Sequence, residues 1–366
     1  MSEKQRSITI GIIAAALLVA AVFFFAGNAN KQNRAGGLFE FDSGHRLIMG
    51  TFARVVAVAS DSGTAEKCIE AAFGQLETIE LLCSVHRDDS EISRINRDAF
   101  KTPVKVSELT FEVLQKADRF SRLSSGAFDI TVGPLVNLWQ SSAEANSVPT
   151  ETELAEVCSR VGYEKLILDA DQMSVRFAVD GMKLDAGGIA KGYAIDKAIE
   201  AMQTSGAAGG MVDVGGDIRC FGTPPEGRNH WLIGLQDPAK ARVGISGSEP
   251  LLILQLASVD GSGTAVATSG NYQRFALIKG KKYSHIVNAG SGLPSEELAS
   301  VTVISRSAAD ADALATAVSV MGAEKGLALI EKIPQTEAIL IAAGPESKRY
   351  LTSGAQNYIS TESIDY

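Results

Sequence analysis

Residues 184–196 join a short apolar strand to a helix through the turn Gly187-Gly188, and Lys191 follows in the first helical turn. A helix N-terminus presents unpaired N–H groups and a partial positive charge, to which the lysine adds a full charge. Such a turn is suited to binding phosphate. The spacing is not that of a P-loop, because no Ser or Thr follows the lysine. A tight turn that requires glycine for its backbone angles is the alternative interpretation.

A second group of polar residues lies in 307–316, where Asp312 and Thr316 are four positions apart. On a helix this spacing places a carboxylate and a hydroxyl side by side on one face. Hard oxygen donors of this kind suit Mg²⁺, which takes one or two carboxylates together with phosphate oxygens and water. The alternative is a helix of small residues packed on a sheet, with its acidic residues at the favourable N-terminal end.

Two further segments carry groups that could act on a phosphate or on its reaction partner. In 266–275 a Thr-Ser-Gly turn precedes Arg274. These groups could hold phosphate or a ring carbonyl, or could form an ordinary turn and a surface ion pair. His285 is one of four histidines and lies in an apolar strand. A lone strand histidine is usually structural, but histidine is also well suited to act as a base near neutral pH.

The pattern of apolar residues predicts the elements that position these groups. In chain order they are a strand within 46–59, helices over 62–83, 107–124 and 149–161, a hairpin over 165–179, a helix ending near 203, a glycine-rich strand turn at 209–218, mainly strands over 231–305, a helix over 308–322 and a strand over 337–342. Strands and helices alternate without a regular βαβ period. We therefore expect an α+β fold with a mixed, largely antiparallel sheet and packed helices.

The composition limits the possible functions. The chain has 366 residues, a hydrophobic content of 45% and a formal net charge of -9. The chain is long enough for a substantial core, and its net negative charge does not provide the positive electrostatic potential that nucleic-acid binding requires. Any anionic ligand must therefore be bound locally, by backbone amides, a metal ion or a few basic side chains. The cysteines show no C-x-x-C spacing and are expected to be small core residues, with a disulfide left open.

Residues 8–26 form an uncharged apolar run, preceded by Lys4 and Arg6. The run is long enough to cross a bilayer and longer than the apolar region of a secretory signal, which favours an uncleaved anchor. The position of this segment predicts that the folded part lies on the periplasmic side of the cell inner membrane. The predicted divisions are a membrane anchor or signal segment over 1–27, a linker over 28–38 and one domain over 39–366.

Taken together, these segments resemble the ApbE-type FAD:protein FMN transferases over nearly all of the chain after the linker. The motifs that carry the resemblance stand in the right order, at 49–51, 126–135, 185–193, 214–218, 266–270, 285–286 and 312–316. The resemblance implies an ApbE-like fold and a Mg²⁺-dependent enzyme. Such an enzyme binds FAD, splits its diphosphate, joins the FMN half to a threonine hydroxyl of an acceptor protein and releases AMP.

The resemblance also implies roles for the residues at the matching positions. The metal would be held by the side chains of Asp312 and Thr316 and the main-chain carbonyl of Gly188. The residues implied to contact FAD are Met49, His86, Ala127, Phe128, Asp129, Asp185, Lys191 and Ile286. Lys191 would also neutralise phosphoryl charge, and His285 is the candidate base for the acceptor hydroxyl. The acceptors implied are subunits of Rnf- and Nqr-type membrane redox pumps, or related flavin-carrying domains.

This sequence departs from the family pattern at two places. His86 stands where the family usually has an aromatic residue that stacks on the flavin, and imidazole offers less stacking area. Asn288 stands where the family has an aspartate, in a segment that also lacks the family's proline and basic residue. Two other functions therefore stay open: an FAD pyrophosphatase that gives FMN and AMP, and a non-catalytic FAD-binding protein of the cell envelope.

Overall fold

The computed structural model describes residues 37–225, 227–239, 250–257, 263–270, 275–344 and 347–360. The α-helices in these ranges are α1 (Ser62–Cys83), α2 (Glu91–Asp98), α3 (Glu108–Leu123), α4 (Gly133–Glu144), α5 (Glu151–Cys158), α6 (Ala190–Thr204) and α7 (Ala308–Ile330). The strands are β1 (Phe39–Ile48), β2 (Thr51–Ala59), β3 (Val104–Lys105), β4 (Leu166–Asp169), β5 (Ser174–Phe177), β6 (Gly209–Val214), β7 (Asp217–Phe221), β8 (Trp231–Leu235), β9 (Leu252–Leu256), β10 (Thr264–Gly270), β11 (Phe275–Ile278), β12 (Lys281–Ser284), β13 (Leu298–Ser305), β14 (Glu337–Ala342) and β15 (Arg349–Leu351). The predicted anchor over 1–27 lies outside the described residues.

The main sheet has eight strands in the order β1-β2-β6-β7-β10-β13-β14-β15, and each pair of neighbours is antiparallel. Side chains of a strand alternate between the two faces of a sheet. Val55 and Ala57 of β2 therefore enter the core beneath α1, α6 and α7, whereas Val56 and Val58 enter a second core covered by the β8–β9 hairpin. The largely antiparallel α+β fold expected from the sequence is present.

Helices α6 and α7 cross in direct backbone contact at Gly192. A Cβ added to Gly192 would lie 2.2 Å from the carbonyl oxygen of Ala308, so only glycine allows this approach. Four residues further along α6, the buried carboxylate of Asp196 accepts hydrogen bonds from the N–H groups of Ala308 and Ala309, at 2.8 and 3.1 Å. Asp196 therefore caps the first turn of α7 from the neighbouring helix and fixes how the two helices meet.

Helix α7 extends past its predicted end at Gly322. Gly322 has φ 78 and ψ 178, and the helix resumes with Ala323, whose N–H donates a 2.8 Å hydrogen bond to the carboxylate of Glu297. Gly322, which indicated a helix end in the sequence, thus marks a kink within α7. The carboxylate of the distant Glu297 caps the part of the helix that follows the kink. Among the described helices α7 alone is long and apolar enough to cross a membrane, but 61% of its most apolar window is buried, as in a core helix.

A smaller apolar cluster positions the segment that follows His285. Trp139 of α4 lies in this cluster with Ile278 and Val287, and its indole N–H donates a 2.8 Å hydrogen bond to the carbonyl oxygen of Gly292. The β11–β12 hairpin and residues 285–294 are therefore attached to α4. Neither α4 nor α2 was predicted from the sequence.

The remaining sequence expectations agree closely with the elements observed. The helix predicted over 62–83 is α1, and the hairpin predicted over 165–179 is formed by β4 and β5. The cysteines are all free; Cys68, Cys83 and Cys220 are buried as expected, and Cys158 is half-buried.

Substitution of Gly192 by alanine tests the helix crossing. We expect Gly192→Ala to lower the free energy of unfolding by at least about 2 kcal/mol, because the new methyl group meets backbone atoms that cannot move aside. Gly74→Ala in α1 is the matched control, since nothing lies within 4 Å of the added Cβ, and it should raise stability by about 0.5–1 kcal/mol. Urea unfolding of both variants measures the effects, and equal stabilities would disprove a backbone crossing at Gly192.

Candidate active site

Lys191 lies at the start of α6 between two buried carboxylates. Its Nζ contacts Oδ2 of Asp217, the first residue of β7, and lies 3.6 Å from Oδ2 of Asp312 on α7. Asp217 is 2% exposed and Asp312 is 4% exposed. The sheet and the two crossing helices thus bring two buried carboxylates together with the ammonium of a lysine whose side chain is 25% exposed.

Each carboxylate is also fixed by a backbone amide. The N–H of Thr268 in β10 donates to Oδ1 of Asp217 at 3.1 Å, and the N–H of Gly192 donates to Oδ2 of Asp312 at 3.1 Å. Oδ1 of Asp312 has no hydrogen-bond partner within the described ranges. Burial raises the pKa of the Asp312 carboxyl, the Lys191 ammonium opposes that shift, and the Asp217 carboxylate adds to it.

The three predicted metal ligands lie together. Thr316 is one helical turn after Asp312, and a Cβ added to Gly188 would lie 3.0 Å from Thr316 Oγ1. Gly188 therefore faces the hydroxyl with no side chain between them. Thr316 Oγ1 is also 3.4 Å from Ser269 Oγ. The predicted Thr-Ser-Gly turn is wrong, because Thr268, Ser269 and Gly270 end strand β10 and pair with β13.

The chemistry of these donors fits Mg²⁺. No three His, Cys, Asp or Glu side chains among the described residues form a metal site by themselves. The available set is instead mixed, with one carboxylate, one hydroxyl and one main-chain carbonyl, all hard oxygen donors. Mg²⁺ accepts few protein ligands and completes its shell with water and phosphate oxygens, so an incomplete protein set beside a phosphate site suits it.

The Gly187-Gly188 turn presents fewer amides than the sequence suggested. The carboxylate of Asp185 accepts the N–H of Gly187 at 2.8 Å, and the N–H of Gly192 is taken by Asp312. The N–H of Gly188 has no hydrogen-bond partner in the described part of the chain. Only this amide of the turn, with Lys191 beside it, is available to an anion.

Among the residues implied to contact FAD, Phe128 and Asp129 lie on the loop after α3. The buried ring of Phe128 is 3.3 Å from a Cβ added to Gly188, so this loop borders the predicted metal site. The Asp129 carboxylate accepts hydrogen bonds from the N–H and hydroxyl of Thr131 and from the N–H of Tyr163, at 2.7 to 2.8 Å. Burial raises the pKa of this carboxyl. Its side chain thus holds the loop that presents Phe128.

The other residues implied to contact FAD surround this centre less closely. Asp185 is tied to the same loop, since its N–H donates to the carbonyl oxygen of Ile130 at 2.7 Å. Met49 occupies the β1–β2 turn with φ 51, and His86 is exposed in the loop after α1. No contact among the described residues joins Met49 or His86 to Lys191, so their roles remain predictions. Arg274 lies outside the described residues.

The segment that follows His285 lines a groove beside the loop after α3. His285 is exposed and follows β12, which ends at Ser284, so its predicted place within a strand is wrong; Ile286 is buried. Further along, Asn288 and Gly290 line a groove of about 600 Å³ together with Ala127 and with Val320, one turn after Thr316. The structure thus brings this segment to the loop that carries Phe128.

Asn288 acts as an acceptor for its own turn. Its side-chain oxygen accepts the N–H groups of Gly290 and Ser291, at 2.9 and 3.0 Å. An amide oxygen accepts these bonds as a carboxylate oxygen does, so the departure from the family's aspartate leaves the turn intact.

Asp217 is the site residue that the sequence did not assign. It directly follows the Gly215-Gly216 turn, as Lys191 follows soon after Gly187-Gly188, and it lies in the 214–218 motif, to which no role was given. The pairing of Asp217 with Lys191 depends on the packing of β7 against α6, which no local pattern shows.

Comparison with known proteins gives the family. The family model described as the ApbE family matches residues 49–340, a range that includes every site residue discussed above. The chain belongs to the ApbE family. The resemblance inferred from the sequence motifs is thereby confirmed.

Individual ApbE relatives match over most of their length. The chain is 32% identical to the FAD:protein FMN transferase of Treponema pallidum, over 81% of this chain and 83% of that protein. The crystal structure of the ApbE protein from Thermotoga maritima is similar with a TM-score of 0.76 and 30% identity, covering 88% of this chain and 99% of that one. The flavin transferase ApbE from Vibrio cholerae is similar with a TM-score of 0.72, at 30% identity and the same coverage.

Asp213 makes the stability of the protein depend on pH. It is buried in β6 opposite Arg54, accepts the N–H of Gly216 at 2.9 Å, and burial raises its pKa to about 7. The folded protein therefore keeps a proton that the unfolded chain releases near pH 4, so this group stabilises the fold at low pH and loses that effect as pH rises through 7.

Asp213→Asn should remove this pH dependence. At pH 5 the variant should be only slightly more stable than the parent protein, because Asp213 is still neutral in the folded protein and only the unfolded chain has begun to gain from its ionisation. At pH 8.5 the variant should be more stable by roughly 1–3 kcal/mol, since it buries no charge. Urea unfolding at both pH values measures the difference, and a variant effect that is the same at pH 5 and pH 8.5 would contradict it.

Proposed function

We propose that this chain transfers the FMN moiety of FAD to a threonine hydroxyl of an acceptor protein, in a Mg²⁺-dependent reaction that releases AMP. The observation that carries the proposal is the convergence of Lys191, Asp312 and Thr316 beside the unpaired N–H of Gly188. A diphosphate needs this combination of a cation, hard oxygen donors for a metal and an amide donor. The names of the relatives in Treponema pallidum and Vibrio cholerae support the flavin chemistry.

The proposed reaction is a displacement at the phosphorus of the FMN half of FAD. The threonine oxygen forms a new bond to this phosphorus, and the bond from the phosphorus to the bridging oxygen breaks. AMP leaves with the bridging oxygen, and the threonine proton passes to a base, for which His285 is the candidate. FMN is then joined to the protein through a phosphoester.

Different residues of the chain would neutralise the charge of the diphosphate and orient it. Lys191 would bind a phosphoryl oxygen, and the N–H of Gly188 would donate to another. Asp312, Thr316 and the Gly188 carbonyl would hold Mg²⁺, which neutralises charge on the diphosphate oxygens when bound. Phe128 would close the site beside Gly188 and exclude water from it.

Substitution of Asp312 tests the proposed metal ligand. We expect Asp312→Asn to lower the rate of flavin transfer by more than about 100-fold, because even indirect partners of a bound metal commonly contribute about 10- to 100-fold. Asp310→Asn, on the same helix, is the matched control; Asp310 lies 3.7 Å from Lys116 and accepts from the Ser307 hydroxyl. Its rate should stay within about twofold.

The assay combines the full-length chain in detergent with FAD, Mg²⁺ and a candidate Rnf- or Nqr-type subunit. In-gel flavin fluorescence measures transfer, and chromatography measures AMP. Equal transfer by the Asp312→Asn and parent proteins would overturn the metal assignment. AMP release that does not depend on the acceptor would indicate an FAD pyrophosphatase, and FAD binding without AMP would indicate a non-catalytic binding protein.

For the location, we propose that residues 8–26 anchor the chain in the inner membrane with the folded domain on the periplasmic side. A redox-pump subunit with a flavin site on that side would then be within reach. Protease added to spheroplasts should degrade the domain while a cytoplasmic marker protein survives. Protection of the domain until the membrane is lysed would contradict this orientation.

A further inference from the structure

Lys191 is shared unequally by the two carboxylates that flank it. Its ammonium contacts Asp217, whereas Asp312 lies 3.6 Å away. Both carboxylates are almost fully buried, at 2% and 4% exposure. Because both carboxylates are shielded from water, each is stabilised by a nearby positive charge, and the Lys191 ammonium lies beside both of them.

A divalent cation and the lysine compete for the same carboxylate. Asp312 is the only carboxylate among the proposed metal ligands, and Lys191 lies beside its Oδ2. An ammonium paired with Asp312 would reduce the negative charge that attracts a cation and would repel the cation directly. The proposed function needs both positive charges next to the diphosphate, so the lysine requires another counter-charge.

The contacts of Asp217 suit it to be that counter-charge. The Thr268 N–H fixes its Oδ1 at 3.1 Å, which leaves Oδ2 directed at the lysine. Asp217 opens β7, and Thr268 belongs to the neighbouring strand β10, so the carboxylate is attached to the rigid centre of the sheet. Asp217 thus contacts residues of β10 and α6, whereas the competing carboxylate, Asp312, belongs to a different element, α7.

We propose that Asp217 is a positioning residue that draws the Lys191 ammonium away from Asp312 and so keeps the Asp312 carboxylate available to a divalent cation. This inference rests on the metal site of the proposed function. It assigns Asp217 no contact with FAD or the metal; Asp217 acts through Lys191.

Three variants follow from this assignment. In Asp217→Asn the amide oxygen can still accept from Thr268, but the counter-charge is lost, so Lys191 should pair with Asp312 and Mg²⁺ affinity should fall about tenfold or more. Lys191→Met removes the competitor and should bind Mg²⁺ more tightly than the parent. The double variant, Asp217→Asn with Lys191→Met, should return to within about threefold of the parent affinity, because the net charge of the three positions is again minus one.

The experiment is calorimetric titration of the full-length chain in detergent with MgCl₂ alone, at pH 8 and without FAD. Asp213→Asn is the matched control, because it removes a buried carboxylate from the same hairpin, one that accepts the N–H of Gly216, and its Mg²⁺ affinity should stay within about threefold. Thermal unfolding of each variant identifies any that fails to fold. If Asp217→Asn alone does not fold, the double variant and Lys191→Met still test the prediction.

The outcomes separate this inference from the proposed function. Restored binding in the double variant supports it, since a purely structural role of Asp217 would leave the double variant as weak as Asp217→Asn. Unchanged binding in Asp217→Asn, or no restoration in the double variant, overturns the inference alone. Absence of Mg²⁺ binding in the parent protein overturns both the inference and the proposed metal site.

Discussion

The close crossing of α6 and α7 is the constraint on which the site depends. Because Gly192 has no side chain, the two backbones touch, and its N–H reaches the carboxylate of Asp312. The residue before it, Lys191, then lies beside the same carboxylate, and Asp196, one turn later, caps the start of α7. A wider crossing would separate the lysine from Asp312 and would leave the first N–H groups of α7 without their acceptor.

The crossing concentrates charge in a place where charge is costly. Two buried carboxylates and one partly exposed ammonium lie at the junction of the sheet and the helices, and each carboxylate also accepts a backbone N–H. These amides cannot move when a ligand binds, so the charges are already oriented before a diphosphate or cation arrives. The free energy that burial costs is offset by the large apolar cores on both faces of the sheet, which fix the elements carrying Lys191, Asp217 and Asp312.

Around this centre, several polar side chains hold the loops in which they lie. Asp129, Asp185 and Asn288 each accept N–H groups from their own turns. Through these bonds they fix the position of Phe128, Gly188 and the segment after His285. This explains how the family's aspartate can be replaced by Asn288 while the fold of that segment is kept, because the turn needs an oxygen acceptor and not a charge.

The sequence by itself determined the largely antiparallel α+β fold, helix α1, the β4–β5 hairpin and the placing of Asp312 and Thr316 on one helical face. These follow from local backbone preferences and from the period of apolar residues, which neighbouring positions display directly. Only the tertiary structure decided that Asp217 is the counter-charge of Lys191, that Asp196 caps α7, and that α7 continues beyond Gly322. Each of these is a contact between residues far apart in the chain, and the partner of a buried charge is set by how whole elements pack.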